Sequence, residues 1–546
     1  MKSSMMAGEL LISSLIVHAD CYHGDTEIVS RRVEGDIHRY TYRDCHRRAR
    51  RMANALAGLG VRMGEHVATL AWNGYRHMEL YYAISGSGAV MHTVNPRLHP
   101  DQIAYIVNHA QDQFLFFDLN FLPLVKLLAG QCPNVRGFVA MASPADMPDA
   151  SGIPNLLCYE TLVDGASDGY RWPVFDEETA CTLCYTSGTT GNPKGVLYSH
   201  RSTLLHTYAA GLPDALDCSA RDVVLPVVPM FHVNAWGIPY IACMMGTKLV
   251  FPGPALDGPS LYGLLEAEGV TLSAGVPAVW QGLLAYMEQG GKRFSTMRRT
   301  VVGGSACPPA MLRAFQEVHG VEVLHAWGMT ELSPLGTVCR PKARHRDETP
   351  DERLARQARQ GRPGFGVDLR IIDGDGLPLP WDGASCGELL VRGPWIADSY
   401  FGDEPIDMRR DDEGRAWFAT GDVGNIDRDG YLQITDRSKD VIKSGGEWIS
   451  SIELENVALE HPAVFAAACI AMPHPKWDER PLLLVVKKPG AFLERAELLT
   501  SFEGKVARWW MPDDVVFVDT LPLGATGKVL KGELRKRYAD RGSALA

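Results

Sequence analysis

Short apolar runs punctuate the chain at residues 67–70, 114–117, 138–141, 223–228, 248–251 and 300–302, and stretches with helical spacing separate them. Runs of this length, rich in Val, Phe and Leu, predict buried strands. A helix is predicted from a capping Thr41 through Cys45, Met52, Leu56 and Leu59 to Gly60, with Arg43, Arg47, Arg48, Arg50 and Arg51 forming a solvated surface on its other faces. Alternating strands and helices predict an α/β chain with largely parallel sheets and ligands at the strand ends.

The pattern changes twice further on. Residues 341–362 are charged and nearly free of large apolar side chains, which predicts an exposed helix or a surface excursion, with no chemistry assigned. After Asp422 come Gly-punctuated short strands at 431–435, the charged stretch Asp436-Arg-Ser-Lys-Asp440, and a compact α+β pattern with strand runs at 465–472, 482–486 and 515–518. The expected division is an N-terminal domain of residues 1–436 and a C-terminal domain of residues 437–546, hinged near 437–440. At 546 residues the length alone suggests about three to four domains, and two lobes also fit.

Composition narrows the function classes. A formal net charge of −11 argues against a surface built for nucleic acid or acidic lipid and favours a small-molecule partner. Glycine and proline, 54 and 34 residues, stay below the fraction typical of disordered chains. The 12 cysteines follow no repeating spacing and read as reduced and cytoplasmic; the single Cys181/Cys184 pair reads as strand residues before a loop. The apolar stretch 10–17 is broken by Ser13 and Ser14 and is far shorter than the roughly 20 residues of a membrane span, so neither secretion nor insertion is expected.

Chemistry concentrates after the run 180–184. The segment from Tyr185 to Gly195 reads Tyr-Thr-Ser-Gly-Thr-Thr-Gly-Asn-Pro-Lys-Gly, combining glycines, hydroxyls and a lysine. Glycines let backbone N–H groups approach phosphate oxygens, hydroxyls add donors, and the lysine adds a mobile charge, so this is a polyphosphate cradle. It is not a Walker A loop, because Pro193 stands where the second glycine belongs and Gly195 where Ser or Thr should follow the lysine.

This segment resembles the phosphate-loop signature of the adenylate-forming superfamily, which holds acyl-CoA synthetases, luciferases and peptide-synthetase adenylation domains. Further signatures follow in the family's order over nearly the whole chain: Pro-Met-Phe-His-Val-Asn-Ala-Trp ending at Trp236, Val-Val-Gly-Gly-Ser ending at Ser305, Ala-Trp-Gly-Met-Thr-Glu ending at Glu331, Thr-Gly-Asp ending at Asp422, the stretch from Asp436 to Trp448, and Gly-Ala-Thr-Gly-Lys ending at Lys528. The sequence is most similar to medium- and long-chain fatty acyl-CoA synthetases and to methylmercaptopropionate-CoA ligases.

The resemblance implies an ATP-dependent acid–thiol ligase that converts a medium-chain fatty acid into acyl-AMP and pyrophosphate and then transfers the acyl group to coenzyme A. The rivals are a ligase for the short thioether acid 3-methylthiopropionate and an adenylating enzyme that loads a separate carrier protein. A nucleotide-binding protein without catalysis is disfavoured by intact Lys194, Glu331, Asp422, Lys443 and Lys528.

By the same resemblance, Thr186, Ser187, Gly188, Thr189, Thr190, Gly191 and Lys194 cradle the ATP phosphates, and Thr186 and Glu331 hold Mg²⁺. Gly304, Ser305, His325, Ala326, Trp327, Gly328, Met329 and Thr330 surround the nucleotide, and Asp422 accepts from the ribose hydroxyls. His232 and Val233 border the substrate carboxylate and the nucleotide. Trp236, four residues after His232, would share its face on a helix and gates the acyl tunnel beside Gly303 and Gly304. Arg437 pairs with ribose or phosphate oxygens, Lys439 marks the hinge of a small mobile C-terminal domain, and Lys528 meets the carboxylate and α-phosphate during adenylation. After rotation Lys443, Gly445, Gly446 and Trp448 face the nucleotide and the coenzyme A channel. The N-terminal segment is similar to the dimer-forming segment of long-chain synthetases, which implies a homodimer.

Overall fold

Two large, mostly parallel sheets carry the first two thirds of the chain in the computed structural model, which describes residues 4–149, 151–186, 192–445, 447–524 and 528–539. The first sheet runs in the order Leu156–Cys158, Gly137–Ala140, Phe114–Phe117, His66–Leu70, Val90–Thr93, Ala180–Thr186, Lys194–Ser199, parallel except for its last strand. The second contains Leu335–Val338, Glu322–Gly328, Arg299–Val302, Leu272–Gly275, Val223–Pro226, Lys248–Phe251 and Glu27–Arg31 in that order, flanked by Arg362–Pro363 and Ile37–Thr41. Each apolar run predicted as a strand in this region falls on an observed one. Both faces of these sheets are covered, so Phe114–Phe117 is buried throughout, as parallel sheets require.

Tyr42–Gly58 begins at Thr41, whose side chain and that of Asp44 cap each other's backbone, and buries Cys45, Met52 and Leu56. Its arginines depart from the expected solvated surface at Arg48, Arg50 and Arg51, which are partly buried. Arg48 is directed inward to Glu79 and Glu160, at 2.7 and 2.8 Å, because its face of the helix abuts Tyr75–Gly86, where Tyr159 and Arg76 complete the network. A long side chain can bury its stem and keep its charge paired, which hydrophobic periodicity alone does not register. The N-terminal helix Ser13–His23 packs Leu15, Ile16 and Ala19 into the same core. Cys181 and Cys184 lie buried on Ala180–Thr186, where burial raises their thiols to about 12 and about 11.

Residues 368–437 form a five-stranded antiparallel sheet, starting well before the change of texture noticed at Asp422. The charged stretch 341–362 contains the helix Pro350–Gln357, capped by Thr349 and Glu352, and its end is less exposed than expected: Gln357 and Gln360 are buried. The smaller C-terminal domain follows. A hairpin of Val464–His474 and Asp478–Lys487 is extended along the outer edge of Asp478–Lys487, at one end by Ile442–Ser444 with Glu447–Ile449 beyond it and further along by Asp514–Phe517, with Ser451–Leu459, Arg495–Thr500 and Lys531–Arg537 as its helices. Among the described residues no helix is long and apolar enough to cross a membrane.

Candidate active site

The carboxyl ends of Val223–Pro226, Leu272–Gly275, Arg299–Val302 and Glu322–Gly328 open on one side of the second sheet, where a doubly wound fold collects its ligands. The phosphate loop joins from the first sheet. Thr186 and Lys194 at its two ends are cross-strand partners; Ser187, Gly188, Thr189, Thr190 and Gly191 lie outside the described residues. Lys194 Nζ sits 4.7 Å from the centre of the Tyr400 ring and 3.9 Å from Glu404.

The signature from Ala326 to Glu331 turns out of its strand beside this loop. Gly328 cannot be replaced, since a Cβ there would overlap the Pro334 carbonyl. The Thr330 carbonyl accepts from Tyr198 Oη at 2.6 Å, which ties the signature to the strand after the phosphate loop. Glu331 is buried and receives the Tyr400 hydroxyl at 2.8 Å; burial, the largest influence, raises its pKa. A hydroxyl at Thr186 and a carboxylate at Glu331 are hard oxygen donors beside a phosphate loop, which suits Mg²⁺ with phosphate oxygens completing its shell.

Asp422 is buried with both oxygens engaged: Trp327 Nε1 donates at 2.8 Å and Arg437 Nε pairs at 2.8 Å. Lys528 reaches the same cleft from the C-terminal domain. The protein crowded around its ammonium group lowers its pKa to about 8, helped by the positive charges of Arg437 and Lys439 and opposed by Asp422 and Glu331. His232 feels the same lysine: burial first, then Lys528 and Arg97, lowers it to about 4, so the imidazole is neutral near pH 7. His325 is fully buried, its Nε2 accepting from the Cys307 N–H at 3.3 Å and its Nδ1 lying 3.1 Å from the Gln357 carbonyl. The nominally surface stretch 341–362 therefore backs this wall.

The segment after His232 is not the right-handed helix that would put His232 and Trp236 on one face. Val233, Asn234, Ala235 and Trp236 have φ of 45, 52, 50 and 57°, a left-handed turn that ends at Gly237. Such φ values cost about 1–2 kcal/mol per residue for L side chains, so the surroundings must impose them. Asn234 Nδ2 donates to Thr182 Oγ1 at 3.2 Å, Tyr81 Oη donates to the Met230 carbonyl at 2.6 Å, and Asn73 accepts from Met230 N–H at 2.6 Å while donating to the Pro226 and Val228 carbonyls at 2.9 Å. The turn lays Trp236 against Gly303, whose absent Cβ would stand 3.0 Å from the indole. Gly304 adopts φ +83°, and Ser305 is exposed at the strand end. A shallow crevice lies between His200–Gly211 and Leu335–Val338, lined by His206, Ala209, Ala210, Leu335, Val338 and Trp395.

Lys443 and Trp448 are exposed, and Gly445, at φ +61°, packs on Trp477; Gly446 lies outside the described residues. Sequence reasoning missed Tyr400, Tyr198, Arg97, Asn73 and Asn234. Asn234 sat inside a quoted motif but carried no expected role, and the others lie outside the motifs.

The family description "AMP-binding enzyme" matches residues 17–401, and "AMP-binding enzyme C-terminal domain" matches residues 453–528. The chain is 54% identical over 99% of both chains to a 3-methylmercaptopropionyl-CoA ligase of Ruegeria lacuscaerulensis. It is 52% identical to a medium-chain-fatty-acid–CoA ligase of Ectopseudomonas oleovorans, over 99% of this chain and 98% of that one. A long-chain-fatty-acid–CoA ligase of Thermus thermophilus is 46% identical over 98% and 97%. Among solved structures, an anthranilate CoA ligase in complex with anthranoyl-AMP superposes with a TM-score of 0.86 at 25% identity over 100% of both chains.

Proposed function

The chain belongs to the AMP-binding enzyme family, and from that premise we propose that it is an AMP-forming acid–CoA ligase acting on a medium-chain fatty acid. A substrate carboxylate oxygen attacks the α-phosphorus of ATP and expels pyrophosphate; the thiol of coenzyme A then attacks the acyl carbon and expels AMP. The observation that carries this reading is the convergence of Lys528, Arg437, Asp422 and Glu331, with His232 near the same lysine.

Each group has a role the chemistry needs. Lys528 and Arg437 offset negative charge as carboxylate and α-phosphate approach, and Asp422 accepts from ribose hydroxyls. Neutral His232 gives the incoming carboxylate a hydrogen-bonding neighbour without a competing fixed charge. Thr186 and Glu331 would hold Mg²⁺, which supplies charge neutralisation on the phosphates when bound. The division at 437–440, with Lys439 as hinge and Lys443, Gly445, Gly446 and Trp448 serving coenzyme A after rotation, belongs to the same proposal, as do a cytoplasmic location and a homodimer.

A second acid, 3-methylthiopropionate, is favoured by one observation: relatives at 54% and 52% identity, from two Ruegeria species, carry the name 3-methylmercaptopropionyl-CoA ligase. Purified protein with ATP, Mg²⁺ and coenzyme A, offered straight-chain acids from acetate to palmitate beside 3-methylthiopropionate, separates the readings. AMP and thioester peaking among medium chains support the first; a peak at the thioether acid replaces it with the second. AMP without thioester points to carrier loading instead.

A further inference from the structure

Tyr400 belongs to none of the nucleotide signatures, yet it touches two of them. Its hydroxyl donates to Glu331 Oε1 at 2.8 Å, and its ring lies under Lys194 Nζ at 4.7 Å. The backbone around it reinforces both contacts: Phe401 N–H donates to the Gly195 carbonyl at 2.8 Å, and Ala397 N–H donates to the Glu331 carbonyl at 2.8 Å. Phe401 is seated in turn against the rings of His66 and His109 at 5.3 and 5.4 Å, so the segment is anchored on the first sheet. Residues 397–401 thus form a bracket between the exit of the phosphate loop and the carboxylate after Thr330.

We propose that Tyr400 is a positioning residue for the nucleotide–cation site: its hydroxyl fixes the direction of the Glu331 carboxylate toward the cation, and its ring fixes the direction of Lys194 toward the phosphates. The proposal rests on the nucleotide-binding reading above. A glutamate side chain has three rotatable bonds, and one oxygen held by Tyr400 leaves the other with a set direction. Lys194 has four and is half-exposed, with the Glu404 carboxylate 3.9 Å from its ammonium on one side; the ring face beneath it restricts where the charge can point. The two tasks lie on different atoms of one side chain, so they can be separated by substitution.

The test is calorimetric ATP binding at graded free Mg²⁺ and in EDTA, without acid or coenzyme A, so a protein that turned over none of the acids offered would still report the result. Tyr400→Phe keeps the ring and removes the hydroxyl. It should raise the Mg²⁺ concentration for half-maximal enhancement of ATP binding by about tenfold, the usual effect of losing a group that orients a metal ligand, and leave ATP affinity in EDTA unchanged. Tyr400→Leu should add a loss of ATP affinity in EDTA of about threefold, as the cation–ring contact is removed. In a Glu331→Gln background Tyr400→Phe should shift nothing further. The proposal is overturned if Tyr400→Phe leaves the Mg²⁺ midpoint in place, if it weakens ATP equally with and without Mg²⁺, or if its effect persists without the Glu331 carboxylate. Thermal unfolding of each variant checks the fold, and the near-isosteric phenylalanine decides should the leucine variant not fold.

Discussion

Lys528 carries a charge that its surroundings resist. A lysine in water titrates near 10.5; here crowding and two neighbouring cations bring it to about 8, so the ammonium proposed to meet the phosphate is being lost just above neutral pH. Adenylation measured as kcat/KM for ATP should therefore fall as pH rises through about 8. Lys528→Arg, slower but permanently charged, should lack that limb, and thioester formation from supplied acyl-AMP should lack it in the parent. A parent rate flat to pH 10 would contradict the assignment. The linkage sign is opposite for folding: between about 8 and 10.5 the unfolded chain holds this proton and the native one does not, so this group's contribution to stability improves with rising pH over that window. Lys528, Asp422 and Glu331 were legible in sequence because short contiguous motifs contain them. Tyr400 and Arg97 were not, because their partners are Glu331 and His232, far along the chain.

At the scale of elements, the turn Val233–Trp236 shows long-range contacts overriding local preference. In Phe-His-Val-Asn-Ala-Trp only Asn234 readily tolerates positive φ, and a β-branched Val233 disfavours it strongly. The conformation is imposed by Tyr81 and Asn73, each about 150 residues away in sequence, which explains why helical spacing was the wrong guide for Trp236. Asn73→Ala should release it. Three buried hydrogen bonds are lost and the Pro226 and Val228 carbonyls and the Met230 N–H are left unpaired, a destabilisation of about 2–4 kcal/mol in denaturant unfolding. The acid KM should rise more than the ATP KM, because the turn positions Trp236 against Gly303 and leaves Asp422 and Glu331 untouched. Equal changes in both constants would show that the turn braces the whole cleft and not its acyl side. The strand runs, by contrast, were readable beforehand: parallel strands buried on both faces have no polar alternation to confuse the pattern.

For the whole molecule the proposed rotation makes the pose of the C-terminal domain decide which half of the chemistry is assembled. Lys528 feels the charges of Asp422 and Glu331, Lys443 and Trp448 are exposed, and Gln281 Nε2 of the large lobe donates to the Phe465 carbonyl of the small domain at 2.5 Å. The order of the domains was written in the sequence; their relative pose was not, since it depends on a few polar contacts across an interface and on the short connection around Lys439. Joining the domains at Gln281 and Phe465 should hold them in this arrangement. With the exposed Cys21 and Cys386 replaced by serine, Gln281→Cys and Phe465→Cys can be bridged by a short bismaleimide. The bridged enzyme should retain pyrophosphate exchange with acid and ATP and lose thioester formation from supplied acyl-AMP by at least about a hundredfold, because Lys443 and Trp448 can no longer reach the nucleotide. A cleavable linker should restore transfer on cleavage. Were both half-reactions to survive bridging, one pose would serve the entire reaction, and the exposed Lys443, Gly445 and Trp448 would need no rotation to act.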